Sequence, residues 1–292
     1  MAPGPNRKVR EMRVFHHIGV SGQASQVIKG FEALGLSLRK YVNAQSDGPL
    51  FFEIGEDDSR WTLIDGIVRA GKGEVWERVW TEFSKAELSD ARFLSVSSCW
   101  TSGYPEPSNE TQPVPGTRFL SYFSDAYRLE SYCSTCLTGA AQMNPFRIRH
   151  APKWGSHSLL KLNWIFDELF VKKELWRDVF RPLGVACRPV LRHKDGAVMD
   201  AIVQLLISDV VELSLGERSY KLCSDCGRRT YAPICRGYFP SPLEPVQVLA
   251  KSAQYFGVGA HPFKAILVSR ELYEYLGGAA ALKGAEFAPC FS

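Results

Sequence analysis

Two pairs of cysteines, Cys133-Ser-Thr-Cys136 and Cys223-Ser-Asp-Cys226, are the residues of this chain best suited to chemistry. Two intervening residues let a tight turn aim both sulfurs at one ion, and two such turns complete a tetrahedron of thiolates. The expected ligand set is therefore Cys133, Cys136, Cys223 and Cys226 around one Zn2+. Four thiolates leave no coordination position for water, so such an ion stabilises structure and does no chemistry. Gly227 follows the second pair directly, where a knuckle turn favours a residue that tolerates positive φ; Leu137 stands in that place after the first. Two other readings of the same cysteines stay open. They are unrelated surface turns whose thiols oxidise on isolation, or a redox dithiol, which requires Cys-x-x-Cys at a helix start with a lowered thiol pKa. Neither Leu137-Thr-Gly-Ala-Ala nor Gly227-Arg-Arg-Thr-Tyr opens a helix.

The remaining candidates are weaker. Cys235, His150 and His157 are substitute ligands should one of the four thiolates be missing, while Cys99, Cys187 and Cys290 sit in apolar strand-like runs and read as core thiols. His16 and His17 are adjacent in a strand, and alternation sends their rings to opposite faces, which excludes a shared site. Asp57-Asp58 and Asp167-Glu168 are adjacent rather than spaced as acid and base, and read as solvated turns or strand ends. Arg147, Arg149, Lys153, Arg228 and Arg229, with Trp154 and Tyr231 among them, mix cations with aromatics in the pattern that grips a phosphate backbone and stacks a base. They define the alternative function, a nucleic-acid-binding zinc ribbon. No nucleophile-elbow, zincin, Walker or dinucleotide fingerprint occurs, so no enzyme activity is expected.

The elements that must hold these residues divide in two. Residues 14 to 100 alternate β-rich and helix-like runs: strands are expected at Val14 to Gly19, Leu50 to Ile54, Val75 to Thr81 and Phe93 to Cys99, and a helix near Gln26 to Tyr41. Ser84-Lys-Ala-Glu87 has the spacing of a reciprocal N-terminal hydrogen-bond pair and opens a second helix. Thr101 to Gly116 carries four prolines and marks a domain boundary. Beyond it the chain repeats itself. Leu169-Phe-Val-Lys-Lys-Glu-Leu-Trp176 matches Ile266-Leu-Val-Ser-Arg-Glu-Leu-Tyr273, Gly184 to Pro189 matches Gly284 to Pro289, and each copy follows a Cys-x-x-Cys. The expected fold is α+β: an N-terminal α+β domain over 14–118, then a double-CxxC zinc-ribbon-like domain over 119–292 with two strand-helix-strand modules.

The 292 residues suffice for a large core without disulfides. Hydrophobic residues at 45% and charged residues at 23% are globular values, and they exclude a disordered or fibrous chain. The formal charge of +4 is too mild to imply nucleic acid by itself. No stretch approaches a membrane span, and the basic N-terminus lacks an apolar core behind it, so a cytoplasmic, reducing location is expected and metal is favoured over disulfides for the eight cysteines.

In Cys133-x-x-Cys136, Cys223-x-x-Cys226-Gly227-Arg and the closing segment from Ile266 to Pro289, the chain resembles the double-CXXCG-motif family of bacterial proteins, over roughly residues 126 to 292. Leu137 departs from the first motif, and residues before 120 lie outside the likeness. The resemblance implies zinc held by the four cysteines, absence of catalysis, and a protein partner. Some members are immunity proteins that neutralise a toxin delivered by contact between related cells, so a cognate toxin is the expected partner.

Overall fold

A computed structural model describes residues 12–40, 48–71, 73–108, 121–257, 262–277 and 284–291. They form an α+β fold of mixed, curled sheets in two compact units. The smaller takes in Met1–Glu87 and Ile234–Gly237; the larger takes in Leu88–Pro233 and Tyr238–Ser292. Of the basic N-terminal stretch through Arg13, only Met12 and Arg13 are among the described residues, and Arg13 already opens a strand.

In the smaller unit an antiparallel sheet runs β2 (Arg39–Lys40), β3 (Leu50–Gly55), β1 (Arg13–Val20), β4 (Val75–Glu82). Three of these strands fall where alternation of apolar residues predicts them. Ile18, Val20, Phe52 and Ile54 pack with Phe31 of helix α1 (Ser25–Ala33) and Ile64 of helix α2 (Trp61–Ala70). Helix α1 stops short of the expected Tyr41, because Gly35 turns left-handed (φ 71°) and donates its N–H to the Glu32 carbonyl, a helix-terminating bond. Helix α3 (Lys85–Asp90) begins as expected: Glu87 accepts from the Ser84 N–H at 2.8 Å while Ser84 Oγ accepts from the Glu87 N–H at 3.2 Å.

The larger unit holds a five-stranded sheet in the order β8 (Arg147–Ile148), β11 (Cys187–Arg192), β12 (Val198–Leu205), β10 (Phe170–Val171), β9 (Leu159–Leu160). Its eight-stranded sheet runs β14 (Tyr220–Leu222), β15 (Arg229–Tyr231), β17 (Leu249–Phe256), β18 (Phe263–Ser269), β5 (Phe93–Cys99), β19 (Ala285–Phe291), β16 (Phe239–Pro240), with β13 (Val210–Val211) also on β17. A small ribbon pairs β6 (Tyr127–Arg128) with β7 (Ala141–Gln142), just after helix α4 (Ser121–Ala126). The five-stranded sheet is apolar on both faces. Leu159, Val171 and Val203 enter one core with Leu94, Leu249 and Val268 of the larger sheet, while Leu160, Phe170 and Ile202 enter a second with Phe146 and Tyr122.

These two sheets share one strand plan. β12 lies between β10 and β11, antiparallel to both, with β9 antiparallel on β10 and β8 parallel on β11. β5 lies in the same way between β18 and β19, with β17 antiparallel on β18 and β16 parallel on β19. Registers agree residue for residue: the row Pro189, Val203, Val171, Leu159 has its counterpart in Pro289, Leu94, Val268, Leu249. This is the alignment in which the sequence repeats. Each copy then carries a helical turn, α5 (Lys173–Leu175) continuing as a π-helix to Phe180 in one and α6 (Arg270–Tyr275) in the other, and a left-handed glycine, Gly184 or Gly284. Neither copy pairs its own two strands directly, as a bare strand-helix-strand unit would. The central strand of one follows by a hairpin; that of the other is β5, from far upstream.

β5 therefore joins the larger unit, and the chain divides between Glu87 and Leu88 rather than in the proline-rich stretch. The first residues of that stretch lie along the five-stranded sheet, Thr101 beside Lys161 and Glu106 beside Arg147; residues 109–120 are outside the described ones. Among the described residues no helix is long and apolar enough to cross a membrane.

Candidate metal centre

The first cysteine pair lies in the loop of the β6–β7 ribbon and the second at the tip of the β14–β15 hairpin. Both turns have the same backbone. The Cys133 N–H donates to the Thr138 carbonyl and Leu137 N–H to the Cys133 carbonyl; ninety residues on, Cys223 N–H donates to Arg228 and Gly227 N–H to Cys223. The residue after each pair is left-handed, Leu137 at φ 58° and Gly227 at φ 70°. Leucine thus adopts the conformation that glycine takes without strain, and the knuckle is built regardless of the substitution.

The two knuckles meet. Cys133 Sγ lies 3.7 Å from Cys223 Sγ and Cys136 Sγ lies 3.5 Å from Cys226 Sγ, and all four sulfurs fall within 4.8 Å of one another. A tetrahedral ion with metal–sulfur bonds of about 2.3 Å sets its sulfurs about 3.8 Å apart, so the thiols already stand at coordination spacing. Among the described residues this is the one group of three or more His, Cys, Asp or Glu side chains able to hold a metal ion. Cys133 and Cys223 are buried and Cys226 is at the surface.

Proton sharing suits the cluster to a cation. Burial raises the Cys136 thiol, but hydrogen bonds from the Thr138 hydroxyl and the Cys226 thiol outweigh it and bring the group down to about 6. Cys133 is lowered chiefly by the Cys136 N–H. At Cys226 the Arg228 N–H lowers the thiol, yet desolvation and the three neighbouring thiols push it up to about 12. The thiols thus share their protons across the cluster, and a metal ion would displace those that remain.

The other candidates fall elsewhere. Cys99 is pushed up to about 12 and Cys290 above its ordinary range, both by desolvation, as core thiols should be. Cys235 belongs to the smaller unit, where its carbonyl accepts from Thr81 Oγ1; His157 stacks on Trp100 at 4.4 Å; His150 is exposed. The five cations lie on different elements. Arg147, on β8, and Arg149, paired with Glu106, border the five-stranded sheet with exposed Lys153 in the loop beyond, while Arg229 lies over the Tyr220 ring at 4.5 Å and Arg228 turns inward between the knuckles.

Three features were missed in the sequence. Glu168 is no solvated strand end: it is buried and paired with Lys251 at 2.5 Å. Its partner is 83 residues away, and nothing local marks the pair. His16 is wholly buried, with Nδ1 2.6 Å from Glu77, Nε2 2.8 Å from Glu56, and its ring stacked on Trp61 at 3.9 Å. His17 faces away, against Glu53, as alternation requires. The third is Arg228, whose part in the centre is taken up below.

In comparisons with known proteins, no family model, no curated protein and no solved structure matches this chain. Fold and site together define an α+β protein carrying a four-cysteine cluster capable of holding a metal ion.

Proposed function

We propose that Cys133, Cys136, Cys223 and Cys226 bind one structural Zn2+ and that the protein is a non-catalytic binding protein, an immunity-type protein that covers a toxin. The observation that carries the metal reading is the approach of four thiols, from two knuckles ninety residues apart, to within 4.8 Å of one another. Thiolates at this spacing suit zinc, and four of them leave no position for a substrate or an activated water. The ion's work is then to join the β6–β7 ribbon to the β14–β15 hairpin across residues 137–222. The partner reading rests on the resemblance of the two motifs and the closing segment to the double-CXXCG family.

Elemental analysis of protein prepared without added metal tests the first part. About one zinc per chain is expected, and Cys226→Ser should lose it and destabilise the larger unit, because ion binding and folding are coupled. Metal-free protein with unaltered stability would refute it. Co-expression with the product of the adjacent gene tests the second. A complex that survives high salt, together with protection from that product's toxicity, supports immunity. An affinity for nucleic acid that falls steeply with salt would favour the nucleic-acid alternative instead.

A further inference from the structure

We infer that Arg228 is a positioning residue for the metal centre: its guanidinium clasps the first knuckle from the second and holds the four thiols together before any ion binds. The inference rests on the zinc reading above and concerns how that site is preorganised. Arg228 occupies the position in its knuckle that Thr138 occupies in the other. Thr138 serves its own turn, with its hydroxyl 3.1 Å from Cys136 Sγ. Arg228 reaches across. Its Nη2 donates to the Ser131 carbonyl at 2.7 Å and its Nη1 to the Thr138 carbonyl at 3.2 Å, so the two arms of one planar fork grip the backbone on either side of Cys133 and Cys136.

Three further observations agree. Gly139 leaves the space the guanidinium fills: a Cβ there would stand 2.5 Å from Arg228 Nη1 and 2.1 Å from the Ser131 carbonyl oxygen. The turns are also tied by a hydrogen bond from the Thr135 hydroxyl to Asp225. Arg228 Nη1 lies 3.9 Å from Cys226 Sγ, which places a fixed positive charge against a set of ionisable thiols. Bringing together two turns separated by a long insert costs closure entropy. With the clasp made in the folded chain, that cost is met in folding and does not recur when the ion binds.

The test uses the full-length protein, stripped of metal and titrated with Zn2+ against a chromophoric chelator. Arg228→Ala should weaken zinc binding roughly 10- to 100-fold, the range typical of partners that orient metal ligands. Arg228→Lys, which keeps the charge but loses the fork, should fall between. Co2+ in place of Zn2+ should show the same tetrahedral thiolate spectrum in every variant, since the ligands are intact. The separating measurement is the gap in melting temperature between zinc-loaded and zinc-free protein. A clasp that serves the centre narrows that gap; a merely structural arginine lowers both temperatures equally and leaves the affinity unchanged, and that result overturns the inference. Should Arg228→Ala not fold, Arg228→Lys decides, with wild-type affinity as the refuting outcome. Failure of the unaltered protein to bind Zn2+ would instead remove the zinc reading on which this one stands.

Discussion

Two glycines beside the cysteines should respond very differently to the same methyl group. Gly227 is left-handed at φ 70° with nothing within 4 Å of where a Cβ would stand. Gly227→Ala therefore meets only backbone strain, about 1–2 kcal/mol, offset by about 0.4–1 kcal/mol from a less flexible unfolded chain, for a net loss near 1 kcal/mol. Gly139 is also left-handed, at φ 92°, but its Cβ would lie 2.1 Å from the Ser131 carbonyl oxygen and 2.5 Å from Arg228 Nη1, distances that no side-chain rotation at residue 139 relieves. Gly139→Ala must displace the guanidinium from the Ser131 and Thr138 carbonyls. Hydrogen bonds to a charged group contribute about 1.5–3 kcal/mol each, so the total loss should reach about 3 kcal/mol or more. For a unit of this size the melting temperature moves about 2–4 °C per kcal/mol. The expected drops are then about 2–4 °C for Gly227→Ala and roughly three times that for Gly139→Ala. Thermal unfolding of the zinc-loaded variants, followed by circular dichroism, measures both. Equal drops would refute the argument that Arg228 occupies the space beside Gly139 as a structural clasp.

Two further outcomes test the buried polar groups. Lys251→Met leaves Glu168 in the core without its cation, at a cost of about 3–5 kcal/mol near neutral pH. Burial already raises the Glu168 carboxyl and Lys251 opposes that shift, so the variant's carboxyl rises further. A raised folded-state pKa means stability is lost as pH climbs through it, and the deficit against wild type should grow from acid towards neutral pH in urea titrations; a pH-independent deficit would count against the pair. In the smaller unit, His16→Phe keeps the stacking volume over Trp61 but loses the bonds to Glu56 and Glu77, at about 2–3 kcal/mol. Amide hydrogen exchange should show weakened protection along β1 and little change in the larger unit, and wild-type protection along β1 would exclude a stabilising role for the network.

Local chemistry was readable before any fold was known. The knuckle pairs announce themselves by spacing, since two intervening residues are what a turn needs to aim both sulfurs one way. β1, β3, β4 and β5 follow from side-chain alternation, and helix α3 from the reciprocal bonds of Ser84 and Glu87. Even the repeat was visible, and Val171 with Val268, and Pro189 with Pro289, take matching places in their sheets. Tertiary structure alone decided which strand fills the middle of each copy. β5 and β12 are equivalent in register, yet β5 precedes its copy in sequence and β12 follows its own, because strands pair through the backbone N–H and C=O groups that every residue carries, and no side chain within a strand names its neighbour. The same reason hid Arg228, Glu168 and His16. A charged side chain in sequence is a solvated side chain until distant backbone closes around it, and only then do its partners settle what it does.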